Sequence, residues 1–261
     1  MQIGRCVAIA LTAALAACAG AHEPQPAPSR APQASRVVAL AAYGRRIVTD
    51  TPGTMKAFVT ADMSCQACHV NAGTKPRGGS FIGIYAQFPQ WNKRAHRVIS
   101  LQDRIAECFL YSMNGRPPGY ASLQMEAIVA YIAQLSRGTP VGSAADPTNG
   151  LARVSAPRPP SASRGRQVYA QRCSSCHQAN GAGVSGTFPP LWGAASFNDG
   201  AGMHRVGTMA SFVRYNMPAN APGTLTDEQA YDVAAFVLSP TRPHFDKQLI
   251  VRFPAMRANY F

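Results

Sequence analysis

The chain has 261 residues, 46% of them hydrophobic, which is material for two modest domains or one large one. Lys and Arg outnumber Asp and Glu by 25 to 12; the formal charge of +13 favours anionic partners, from lipid or an acidic protein to a small oxyanion, and fits a merely solvated basic surface as well. Beyond the N-terminal segment no stretch reaches the roughly 18 consecutive apolar residues of a membrane helix.

Arg5 and the apolar run from Val7 to Ala17 read as an export signal, too short to span a bilayer. Leu15-Ala16-Ala17-Cys18 resembles a bacterial lipobox, so residues 1–18 are expected to be a signal peptide, with Cys18 the lipidated first residue of the mature protein. Ordinary cleavage nearby, with Cys18 discarded or left free, is the alternative. Residues 19–45, Ala/Pro-rich as far as Ser35, are expected to form a tether. The expected location is the periplasm, at the outer or another envelope membrane through the lipid on Cys18.

A first domain is expected over residues 46–140, a Pro-rich linker over 141–162, a second domain over 163–243 and a basic, aromatic C-terminal extension over 244–261. The two blocks read as diverged copies of one unit: each has a Cys-x-x-Cys-His motif near its start, then a Gly-rich loop, then a final helix. Ser100-Leu101-Gln102-Asp103 predicts a capped helix that runs through Cys108 and ends at Asn114-Gly115 and Pro117-Pro118. Thr226-Asp227-Glu228-Gln229 opens the last helix in the same way. No run of alternating strands is visible, so the expected fold is all-α.

Cys65-Gln66-Ala67-Cys68-His69 and Cys173-Ser174-Ser175-Cys176-His177 each offer two thiols for thioether bonds to haem vinyls and a proximal histidine for the iron. Cys-x-x-Cys alone also suits a redox disulfide or half a zinc site. The appended histidine, twice over in an exported chain, decides for two covalently attached haem c groups. The fold class becomes two tandem class I cytochrome c-like domains joined by the Pro-rich linker. Pro189, twelve residues after His177, is placed to offer its carbonyl to His177 Nδ1–H; the first domain has Ser80-Phe81 in the comparable region, and a different arrangement is expected there.

The sixth ligand decides the chemistry, because axial identity moves haem potential over about 0.8 V. In the second domain Met217, in Asn216-Met217-Pro218 just before the final helix, is the expected distal ligand, with Met203 and Met209 as core residues. In the first domain Cys108, Met113 and neither stand level. Of seven cysteines, Cys108 is the one that the haem motifs, the signal and the lipobox leave without a role. Arg104, Cys108 and Ser112 are spaced i, i+4, i+8 and share a helix face. A guanidinium there suits a sulfur oxyanion and a haem propionate equally.

Asp103-Arg104-x3-Cys108-x3-Ser112-Met113-Asn114-Gly115, with Pro189-Pro190-Leu191-Trp192-Gly193, Ser196-Phe197-Asn198-Asp199-Gly200-Ala201-Gly202-Met203 and Asn216-Met217-Pro218, resembles the dihaem thiosulfate dehydrogenases from about Ala57 to Pro243. The resemblance implies that two thiosulfates are joined to tetrathionate with release of two electrons, in some members reversibly. It implies His69/Cys108 ligation at an active-site haem and His177/Met217 at an exit haem, with Arg94, Arg104, Ser112 and Asn114 in the substrate pocket. Some members carry a Lys directly before the distal Met and exchange the two ligands; here Asn216 stands in that place, and Met alone is expected. The expected partners are thiosulfate and tetrathionate, a periplasmic electron acceptor such as a small cytochrome c, and no nucleic acid. The competing function is a dihaem electron carrier without a substrate of its own, which gains little from a free cysteine beside haem.

Overall fold

The computed structural model describes residues 30–156 and 158–246; the export segment, the lipobox at Cys18 and residues 247–261 lie outside them. The longer helices are α1 (Arg30–Thr49), α2 (Leu101–Tyr111), α3 (Leu123–Leu135), α4 (Ala162–Arg172), α5 (Val206–Asn216) and α6 (Asp227–Leu238). α1 crosses α3 in the first unit, α4 crosses α6 in the second, and α5 packs beside α6. Among the described residues no helix is long and apolar enough to cross a membrane.

One steric constraint occurs twice. A Cβ on Gly44 of α1 would overlap the Ala127 carbonyl of α3 and press on Tyr131 Cβ. A Cβ on Gly165 of α4 would overlap the Asp232 carbonyl of α6 and press on Phe236 Cβ. Each unit therefore closes by laying the bare backbone of its first helix against the carbonyl and aromatic of its last, an approach only glycine permits.

This geometry corrects the expected tether. Residues 30–45 belong to α1, and the helix buries Ala41, Gly44, Ile47 and Val48 along one side. The spacing is helical, but within residues 30–45 the buried positions are Ala41 and Gly44, which carry little apolar contrast, so that part passes for low-complexity linker.

Helix starts follow the capping rules. Ser100 Oγ accepts from Asp103 N while Asp103 reaches back to Ser100 N, and Thr226 and Gln229 do the same at α6. The helical reading misses one feature: a two-stranded antiparallel hairpin, β1 (Gln90–Asn92) with β2 (Arg97–Ile99), Trp91 opposite Val98. Three-residue strands are too short to show an alternating pattern.

Up to Ser161 the described residues of the linker region form neither helix nor strand, yet they are tied down along their course. Thr148 and Asn149 carbonyls accept from Arg77 N and Ser80 N, and the Val154 carbonyl accepts from Tyr231 Oη of α6. At its end Asp232 takes hydrogen bonds from Ser161 N and Arg164, with Arg158 beside them.

Candidate active site

A partly open cavity lies in the first unit. Cys65, Cys68 and His69 line one part of it, and α2 with its C-terminal turn brings Cys108, Ser112 and Met113 to the same space. Most of the remaining wall is apolar, from Phe81, Ile105, Phe109, Ile128 and Ile132 among others. His69 Nδ1 sits 2.6 Å from the Gly79 carbonyl, and Phe81 packs on the ring at 4.3 Å between centroids. Burial pushes the His69 imidazole down to about 4, the Gly79 carbonyl opposes this, and the Arg104 charge pushes further down. The ring is therefore neutral at physiological pH with Nδ1 committed as donor, which leaves Nε2 as the lone-pair nitrogen.

In the second unit His177 Nδ1 lies 3.0 Å from the Pro189 carbonyl, the contact expected from the spacing. Burial lowers the His177 pKa as well. The first unit meets the same need from a different residue. A glycine carbonyl replaces the proline's, and a Cβ on Gly79 would crowd His69 Nδ1 and the Cys68 carbonyl. The expected difference is one of residue, not of interaction.

These residues suit covalent haem. Each His presents one nitrogen beside a Cys pair in a buried setting, and burial holds the Cys65 and Cys68 thiols up at about 11 and 12. Among the described residues no cluster of three or more His, Cys, Asp or Glu is arranged to hold a bare metal ion.

Of the two candidates for the first unit's sixth position, both Cys108 and Met113 line the cavity. Cys108 alone has a cation on its sulfur: Arg104 Nη1 approaches Sγ to 3.4 Å. This contact follows from their i, i+4 placement on α2. Cys108 in turn is the chief influence holding Arg104 in its charged form, with Glu107 adding to it. The Arg104 side chain is 47% exposed, so its guanidinium stands at the rim and not in the cavity wall.

Arg94 leaves the β1–β2 turn toward the second unit. Its Nη2 donates to the Gly200 carbonyl at 3.0 Å and its guanidinium stacks 4.2 Å from the Tyr111 ring. Asn114, at φ 50, donates its side-chain amide to the Ser196 carbonyl and is not part of the cavity lining. It ties the end of α2 to the second unit. Asn198 makes the reciprocal tie, donating to the Leu110 carbonyl at 2.8 Å. Phe245, at the start of the C-terminal extension, packs edge-on against Tyr111 and covers Gly200.

Met217 stands one residue past α5, as its C-cap, while Met209 is buried on α5 and Met203 lies on a short 3-10 turn. Asn216 is 1% exposed and its amide donates to the Arg77 and Phe212 carbonyls. The residue before Met217 is thus committed to the loop that leads to Gly79.

Two polar residues escaped the sequence reading. Asn92 and Glu107 lie between the arginines, Asn92 Nδ2 donating to both Glu107 carboxylate oxygens at 3.1 and 3.2 Å. Burial raises the Glu107 pKa, against the pull of Arg104, Arg94 and Asn92. The one available signal was position, since Glu107 directly precedes the cysteine and Asn92 lies two residues before Arg94.

The chain matches the SoxA/TsdA cytochrome c domain model over residues 55–141 and the cytochrome c model over 162–240. It is 39% identical over 213 residues to the thiosulfate dehydrogenase of Allochromatium vinosum, covering 78% of each chain. It is 38% identical over 218 residues to that of Stutzerimonas stutzeri, covering 81% of this chain and 70% of the other. The as-isolated thiosulfate dehydrogenase (TsdBA) of Marichromatium purpuratum superposes with a TM-score of 0.75 at 32% identity, over 88% of this chain and 56% of that one. The chain belongs to the thiosulfate dehydrogenase family, an oxidoreductase of two cytochrome c domains that carry two covalently attached haem c groups.

Proposed function

We propose that two thiosulfates are oxidatively joined to tetrathionate at the Cys108 face of the first unit and that the second unit is the electron exit. The observation that carries this division is the Arg104–Cys108 contact at the edge of the cavity that holds His69. A plain electron carrier accounts for the second unit but has no use for that pair.

The haem c groups, when bound, supply one-electron acceptors in series, with a thiolate ligand lowering and a methionine raising the potential, so that flow from the first to the second is downhill. The protein supplies the rest. Two dianions repel, and Arg94 with Arg104 provides the positive field that brings their sulfurs together. Ser112 adds a hydroxyl at the cavity wall. The Cys108 thiolate joins the outer sulfur of the first thiosulfate, forming one S–S bond as two electrons leave. The second thiosulfate attacks that same sulfur, forming tetrathionate and returning the thiolate. Cys108 holds the site's fixed sulfur position in this scheme, and Met217 with His177 holds the exit.

The acceptor is proposed to be a soluble periplasmic redox protein such as a small cytochrome c, consistent with the basic charge of the chain. The mature protein is proposed to be exported and anchored through lipid on Cys18. The test of the whole reading is steady-state thiosulfate oxidation, assayed together with tetrathionate reduction. The wild type is active in at least the oxidative direction, and Cys108→Ala loses about a thousandfold or more while keeping both haems. Full activity in that variant would sink the mechanism.

A further inference from the structure

The two arginines assigned to substrate sit on elements with little else in common. Arg104 is on α2, in the middle of the first unit. Arg94 is on the turn of a hairpin of three-residue strands, a structure too small to be rigid alone. Arg97 ties β2 to Asp103 near the start of α2 and Arg94 stacks on Tyr111 at its end; Asn92 is the side chain that joins the turn itself to the residue beside Cys108.

We propose that Asn92 and Glu107 form a latch that sets the position of Arg94 relative to Arg104 and Cys108, making Asn92 a positioning residue for substrate binding; the inference rests on the proposed role of the two arginines. Asn92 uses both ends of its amide. Its Oδ1 accepts from Arg94 N at 2.8 Å and Ala95 N at 2.9 Å, which shapes the turn carrying Arg94. Its Nδ2 donates to both carboxylate oxygens of Glu107, one residue before Cys108. Glu107 is 13% exposed on its side chain, so the contact is sheltered from water. Its Oε2 also lies 3.5 Å from Arg104 Nη1, the nitrogen that faces Cys108 Sγ. One carboxylate therefore ties the turn on one side and touches the substrate-facing guanidinium on the other.

Chemistry supports this division of labour. A carboxylate among arginines would oppose an incoming dianion if it were free to swing into their place, and the two-point bond to Asn92 holds it aside. The amide is the right group for the task, because it alone among the small polar side chains accepts at one end and donates at the other.

The experiment uses the haem-loaded enzyme with thiosulfate and compares Asn92→Asp, Glu107→Gln and the double variant. Asn92→Asp keeps the turn's acceptor but loses the donor and sets a second carboxylate against Glu107. The expected result is a KM for thiosulfate raised roughly tenfold, the loss of one hydrogen bond to a charged group, with kcat nearly unchanged. Amide hydrogen exchange across residues 93–98 accelerates at the same time. In the double variant the Gln at 107 donates to the Asp at 92, the pair re-forms with reversed polarity, and both KM and exchange return toward wild type. Asn92→Ser, whose hydroxyl still caps the turn but falls short of Glu107, shows the same two losses should the Asp variant not fold. Unchanged exchange in Asn92→Asp and Asn92→Ser, or a double variant no better than Asn92→Asp, overturns the latch; Glu107→Gln keeps an oxygen that accepts from Asn92 and is expected to stay near wild type in exchange. A wild type that does not oxidise thiosulfate overturns the functional reading instead, and the exchange data then decide the latch alone.

Discussion

The two units are alike in how they close and unlike in what faces the cofactor. Gly44 on Ala127 and Gly165 on Asp232 are the same helix crossing, and the Gly79 and Pro189 carbonyls accept the same hydrogen bond from the two proximal histidines. The distal sides diverge. The first unit places Cys108 inside α2 with an arginine one turn away, whereas the second places Met217 just beyond α5, after an asparagine bound to backbone. Close packing leaves no freedom at the crossings, while the distal helix ends are free to carry different chemistry on one scaffold.

The largest test of that comparison concerns the ligand. Met217→Ala is expected to lower the potential of the second haem by on the order of 0.2 V, within the range axial ligands span. The first haem's potential should move far less in a spectroelectrochemical titration. Equal shifts in both would remove the distinction between reaction site and exit.

Next in size are the crossings. Gly44→Ala and Gly165→Ala each push a methyl into a carbonyl and are expected to cost about 3 kcal/mol by denaturant unfolding. Similar losses would sharpen the view of two copies of one fold. A silent Gly44→Ala would mean that α1 is not part of the first unit's closure.

A smaller effect is expected at Asp232, which has no counterpart at Ala127 of the first unit. Burial would raise its pKa, but the hydrogen bonds from Arg164 and Ser161 N and the charges of Arg164 and Arg158 outweigh it and hold it below the ordinary carboxylate value. The side chain is 5% exposed while Arg164 remains open to water, so Asp232→Asn is expected to cost about 1 to 2 kcal/mol. A depressed native pKa makes this stabilisation complete above the unfolded value of about 4 and removes it as pH falls through the native one. The difference between wild type and Asp232→Asn should therefore shrink on acidification in urea titrations.

Much of this was legible in the chain. The two haem motifs with their neighbouring caps fixed cofactor and helical class, and the Pro189 spacing foretold its carbonyl. Gly79 was missed because a backbone carbonyl can come from any residue. α1 was missed before residue 46 because its buried positions there are Ala41 and Gly44. Asn92 and Glu107 were invisible because their pairing depends on how a hairpin lands on a helix fifteen residues later, which no local pattern records. Phe245 on Tyr111 joins regions still further apart in sequence.

The central claim is that substrate chemistry occurs at Cys108 and not at the second unit. Anaerobic mixing of the oxidised dihaem protein with thiosulfate, without external acceptor and with haem absorbance followed in time, tests it directly. The account predicts rapid reduction in the wild type and essentially none in Cys108→Ala with both haems in place; rapid reduction in that variant would contradict it.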